Sequence, residues 1–159
     1  KDVVRTAAVY AGQPYVVERW LGGMLTNSTT TNARIKKLKD LERRMESGEL
    51  ASRYNKLEVQ RFQEQIDAMN FNYGGIKDMN GRHGALFVVD IIEDKNAVNE
   101  AVKLGIPVIA IVDTNTDPTR ITYPIPANDD AIGAIKIITD TIADAVQAGR
   151  GKKQAKATE

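Results

Sequence analysis

Between Asn27 and Tyr73 the apolar residues recur every three or four positions, whereas from Gly84 onward short unbroken apolar runs alternate with helical spacing. The two patterns predict two kinds of structure. In the first, Ile35, Leu38, Leu41 and Met45 fall in line behind Asn27 or Ser28 as an N-cap. That predicts a helix over 28–46, about 28 Å long at 1.5 Å per residue. "SGELAS" interrupts it, and Leu57, Phe62, Ile66 and Met69 then mark a second amphipathic helix over about 54–70. Both stripes are narrow and the other faces charged, which suits a hairpin whose helices pack on each other outside the main core.

In the second pattern, "GALFVVD" over 84–90 and "IPVIAIVD" over 106–113 read as strands buried on both faces. "DKNAVNEAVKLG" between them reads as a helix that Gly105 stops. "ITYPIP" is an edge strand, because Pro124 and Pro126 supply no ladder donors. The last helix, about 129–148, starts behind Asn128 and ends at Gly149, with Ile132, Ile135, Ile138, Ile142 and Val146 facing inward. At the other end, residues 2–11 predict a helix closed by Gly12, and the β-rich "YVVERW" at 15–20 predicts a strand broken by "LGG".

Alternation of strand and helix predicts an α/β domain with an open parallel sheet covered on both faces and right-handed crossovers. The α/β domain takes residues 1–27 and 74–150, the inserted hairpin 28–73, and a basic tail 151–159 is expected to be disordered. A helix comes first with no strand to cross over from, and the first residue is Lys1. Both features lead to the expectation of an incomplete sequence that lacks its first strand.

Composition narrows the chemistry. Zero cysteines exclude disulfides and thiol catalysis, and the lone histidine, His83, excludes a multi-histidine metal site. No apolar run is long enough for a membrane helix. The net charge of +1 hides a local excess: Glu18 to Met45 holds seven Lys/Arg against three Asp/Glu. Lys36, Lys39 and Arg43 line up along one helix face, which would suit phosphate tracking. On charge alone, a solvated face offset by Asp40, Glu42 and Glu46 explains them equally well.

Neither GxGxxG nor GxxxxGK[ST] occurs, so the two common phosphate cradles are absent. Asp90, Asp113 and Asp117 stand at strand ends, where open α/β sheets bind ligands and where carboxylates can hold Mg²⁺ or act as acid and base. The favoured reading of "DTNTDP" is a turn whose side chains bond their own backbone. His83 has no recognisable partner as a base. Trp20, beside Gly22 and Gly23, is read as a core residue plugging the end of the sheet beneath the hairpin, with Arg19 and Asn27 the better polar candidates.

Longer strings carry more. "PYVVERWLGGMLTN", "GGIKDM", "ALFVVD", "EAVKLGIPVIAIVDTNTDP" and "PIPANDDAI" resemble, in order and spacing, the bacterial-type S-two family of the small ribosomal subunit, over about residues 1–148. The resemblance implies a three-layer flavodoxin-like (Rossmann-like) domain with a coiled-coil hairpin after its second strand. In that order the first strand lies between 15–20 and 84–90. It also implies no enzymatic activity, no cofactor and no metal. Its partners would be small-subunit ribosomal RNA and neighbouring ribosomal proteins, including the large S-one protein. The place would be the ribosome of the cytoplasm or of an organelle, away from membranes.

RNA contacts are then expected from Arg19, Asn27, Arg34, Lys36, Lys37, Lys39, Arg43, Arg44, Lys77 and Arg82, with Trp20, Gly22, Gly23, Gly74 and Gly75 at the junction of domain and hairpin. The competing reading is a metal-dependent or small-molecule-binding enzyme built on Asp90, Asp113 and Asp117.

Overall fold

The computed structural model describes residues 1–79 and 83–156. A first helix, α1 (Asp2–Ala11), leads into an irregular segment and then α2 (Ser28–Glu46), α3 (Glu49–Arg53) and α4 (Lys56–Tyr73). The remaining elements are β1 (Leu86–Val88), α5 (Lys95–Lys103), β2 (Val108–Val112), β3 (Tyr123–Pro126) and α6 (Ile132–Lys156).

The sheet is parallel, three-stranded and ordered β1-β2-β3, with Leu86 paired to Val108 and Ile109 to Tyr123. β2 is central, and Val108, Ala110 and Ile111 are fully buried. Strand neighbours flank both of its edges, and Val108 and Ala110 pack in one core with Val98 and Ala101 of α5, which accounts for the apolar run, while Ile109 and Val112 are partly buried. β3 lies at the edge, where its two prolines leave no ladder donor wanting.

The hairpin forms from local signals. Asn27 Oδ1 accepts from Thr30 N–H at 3.4 Å to cap α2. Asn55 and Glu58 form a reciprocal capping box at the start of α4, both bonds 3.0 Å long. Ile35, Leu38 and Leu41 of α2 meet Ile66 and Tyr73 of α4 in a core that also takes in Met24 and Ile76. A second core joins Val88, Val108 and Ala110 of the sheet to Val98 and Ala101 of α5 and to Leu25. A third, small one holds Ala7 and Ala11 of α1 against Ala143 of α6.

Several expectations are corrected. Residues 15–20 form no strand, since their backbone pairs with no sheet edge; Tyr15 N–H donates instead to Gly75 O at 3.0 Å. Val16 and Val17 accordingly form no ladder with β1. β-branched propensity makes a strand only where a neighbouring backbone completes it. "SGELAS" is not a plain break, because Gly48 turns the chain into the short α3, whose Leu50 is fully buried. Leu57, placed on the apolar stripe of the second helix, is 59% exposed.

α6 runs through Gly149 to Lys156, where a cap and a disordered tail were expected. Gly149 does not take the left-handed conformation a C-cap needs, and Arg150 donates to Ala11 O at 2.9 Å, tying this stretch to α1. Ile132 is 74% exposed, while Thr139 and Ala143 are buried, so the inward face of α6 is turned from the expected one. Its packing partner is α1, whose alanines admit small residues close to the helix axis.

Candidate nucleic-acid interface

The stretch Arg19–Asn27 wraps one carboxylate. Glu100, 9% exposed on α5, accepts at Oε1 from Trp20 Nε1–H (3.2 Å) and Gly23 N–H (2.7 Å). Its Oε2 accepts from Leu25 N–H (2.9 Å), Thr26 N–H (2.9 Å) and Thr26 Oγ1–H (3.0 Å). A buried carboxylate costs free energy unless its lone pairs are filled, and here two oxygens receive five donors. Burial pushes the Glu100 pKa up; the donors from Thr26, Gly23, Leu25 and Trp20 outweigh it and hold the carboxyl below its ordinary value.

The surrounding residues follow from this arrangement. Gly23 has φ 89, which lets the chain fold its N–H inward where a side chain would strain. Trp20 packs against both the hairpin core and the sheet core while its indole N–H meets Glu100. Gly22 faces open space and Gly74 only ordinary contacts, but a Cβ at Gly75 would sit 2.2 Å from the Tyr15 carbonyl oxygen. Asn27 caps α2, and Arg19 is exposed.

The predicted cations divide into two groups. Lys39 pairs with Asp78 at 2.8 Å, Arg43 with Asp40 at 2.6 Å, Arg44 with Glu49 at 3.2 Å and Lys77 with Glu42 at 3.1 Å. Arg34 donates to the Tyr73 hydroxyl at 2.8 Å across the hairpin. Arg19, Lys36 and Lys37 are exposed and have no carboxylate within 4.0 Å among the described residues. Arg82 lies outside the described residues. The helical row Lys36, Lys39 and Arg43 is therefore not a uniform positive face, because two of its three members are neutralised locally.

Glu42 organises the hairpin base: besides Lys77 it accepts from Asn70 Nδ2–H at 2.8 Å. Burial raises its pKa, and the bonds from Asn70 and Lys77 prevail and lower it.

Turn chemistry accounts for the strand-end aspartates. Asp90 Oδ1 accepts from Ile92 N–H (2.8 Å) and Glu93 N–H (2.9 Å), Asp113 from Thr114 N–H (2.6 Å), and Asp117 from Thr119 N–H (2.9 Å). Asp129 is pushed up by burial and by the charges of Asp90, Asp113 and Asp130. Among the described residues no group of three His, Cys, Asp or Glu is arranged to hold a metal. A cleft of about 360 Å³ opens beside the hairpin base, lined by Arg5, Tyr15, Phe71, Asn72 and Lys77, and none of these aspartates lines it.

Sequence reasoning missed Glu100. A glutamate on the inner face of an otherwise apolar helix stripe, between Ala97 and Ala101, was its one signal.

Fold and site define an α/β protein with a helical hairpin ahead of its sheet and with exposed cations on the first hairpin helix and just before it. A family model described as "Ribosomal protein S2" matches residues 1–149, and the chain belongs to that family. It is 47% identical over 154 residues to the small ribosomal subunit protein uS2 of Coprothermobacter proteolyticus, covering 97% of this chain and 57% of that protein. With the protein of the same name from Bifidobacterium longum it shares 48% over 149 residues, 94% of this chain and 53% of the relative. The chain thus spans little more than half the length of these relatives.

Proposed function

We propose that this chain serves as a structural constituent of the small ribosomal subunit, binding ribosomal RNA and neighbouring ribosomal proteins in translation. The family match over residues 1–149 carries the reading. The exposed Arg19, Lys36 and Lys37 support it, since a polyanion is the partner that unneutralised surface cations suit. Contacts of this kind position the protein on the RNA backbone more than they read sequence.

In the finer reading, residues 1–27 and 74–150 belong to a flavodoxin-like domain and 28–73 to a coiled-coil hairpin, with Trp20 and Gly75 at their junction. The protein works on the ribosome of the cytoplasm or an organelle, and the S-one protein is among its neighbours. The far end of the hairpin meets protein rather than RNA. This second reading is favoured by the local pairing of Arg43 and Arg44 and by the exposed Tyr54 and Leu57 there.

Sedimentation tests the proposal. The chain is expected to travel with small ribosomal subunits at low salt and to leave them at high salt, with a log-log slope of roughly −0.7 to −0.9 per neutralised phosphate. Salt-insensitive association, or none, overturns it. Deleting 28–73 tests the hairpin reading: neighbouring proteins that still join the particle as before would contradict it.

A further inference from the structure

We infer that Glu100 is the positioning residue of the RNA interface, holding Arg19 and the start of α2 in fixed relation so that Arg19, Lys36 and Lys37 meet the phosphate backbone together. The inference rests on the proposed RNA-binding function and adds to it a residue that touches no RNA.

Chain connectivity and hydrogen bonds support it. Arg19 directly precedes Trp20, whose indole donates to Glu100 Oε1. At the other end of the loop, Leu25 and Thr26 donate to Glu100 Oε2, and α2 begins two residues later at Ser28. Both ends of the loop between Arg19 and α2 are therefore fastened to one carboxylate, carried by a helix whose Val98 and Ala101 pack in the sheet core.

Without that anchor, the four N–H groups and the hydroxyl bound to Glu100 face water or one another. The loop then samples several shapes, and Arg19 no longer keeps a set distance from Lys36 and Lys37. Phosphates along an RNA strand are regularly spaced, so cations in fixed relation engage several of them without a further ordering cost.

Glu100→Gln removes the charge and replaces one acceptor oxygen by an NH₂ group facing inward-pointing donors, while nearly keeping the side-chain volume. The experiment measures binding of the 159-residue chain and its variants to a small-subunit ribosomal RNA transcript across a salt series, with the folded fraction followed by circular dichroism. The wild-type chain is expected to lose about tenfold affinity on Arg19→Ala. Glu100→Gln is expected to lose about tenfold, with a salt slope flatter by roughly 0.7 or more, the share of at least one neutralised phosphate. In the Glu100→Gln background, Arg19→Ala is expected to add less than about twofold, because the two residues act as one unit.

A merely structural role lowers the folded fraction and hence the affinity, but leaves both the salt slope and the factor for Arg19→Ala unchanged. That result overturns the inference. Should Glu100→Gln not fold, Trp20→Phe removes one of the donors and keeps an aromatic ring. Its coupling to Arg19→Ala is then read in the same way, and full additivity again overturns the inference. If the wild-type chain shows no salt-dependent binding to the transcript, the RNA-binding function fails, a result distinct from wild-type binding with an unaltered slope in the variants.

Discussion

Tyr15 and Gly75 touch backbone to backbone: the Tyr15 N–H donates to Gly75 O at 3.0 Å, and a Cβ at position 75 would lie 2.2 Å from Tyr15 O and 2.6 Å from its ring. The φ of Gly75 is not in the left-handed region, so its constraint is space alone. Gly75→Ala is therefore expected to separate the 15–20 segment from the hairpin base and destabilise the chain by about 3 kcal/mol, the upper range for overpacking. Gly22→Ala, with nothing within 4 Å, is the matched control and is expected to cost far less. Urea unfolding of the two variants checks the difference.

Acid should loosen the loop around Glu100. Its folded pKa lies below the ordinary value of 4.5, so the unfolded chain binds the proton more readily. The stabilisation is fully present above that ordinary value and is lost as pH falls through the folded one. Glu100→Gln is expected to lower neutral-pH stability by about 3 kcal/mol, the order of one or two charge-assisted hydrogen bonds, and to flatten this acid limb. Thermal melts from pH 7 down to about pH 3 on both proteins measure it.

The cation division predicts opposite outcomes for two similar changes. Replacing Lys36 and Lys37 by alanine is expected to weaken RNA binding and to flatten the salt slope by roughly 0.7 for each phosphate no longer neutralised. Arg43→Ala removes a cation already paired with Asp40 and is expected to leave the slope unchanged and stability within about 0.5 kcal/mol. Equal effects of the two on the slope would show that ion pairing within the hairpin does not sort these residues.

Leu38 is fully buried in the hairpin core, and Leu57 is 59% exposed two helices later. Leu38→Ala is expected to cost about 2–5 kcal/mol through reduced burial and a cavity, while Leu57→Ala stays within about 0.5 kcal/mol. Helical circular dichroism during denaturant titration separates them.

The hairpin was legible because its signals are local. A helix needs only its own backbone, so the three- and four-residue spacing of Ile35, Leu38, Leu41 and Met45 and the Asn27 cap placed α2 at the bounds it takes. β2 was legible for a related reason, since a continuous apolar run is what a strand buried on both faces requires. Contacts between distant segments were not. "YVVERW" has the composition of a strand, yet whether it becomes one depends on a neighbouring backbone, which residues 15–20 lack. The inner face of α6 followed α1, a helix more than a hundred positions earlier, and no periodicity within α6 reveals that choice.

The sequence by itself determined α1, α2, α4 and α5, the central strand, the charge excess around α2 and, through its long strings, the family. Only the tertiary structure decided what Trp20 and Gly23 are for, because their partner is a carboxylate 80 and 77 positions away. It also decided which cations remain for a partner, since an ion pair such as Lys39–Asp78 depends on how the hairpin closes. Local periodicity records the inner face of a helix such as α2. It does not record which distant group fills a buried lone pair, and that pairing shapes the loop at the entrance to the hairpin.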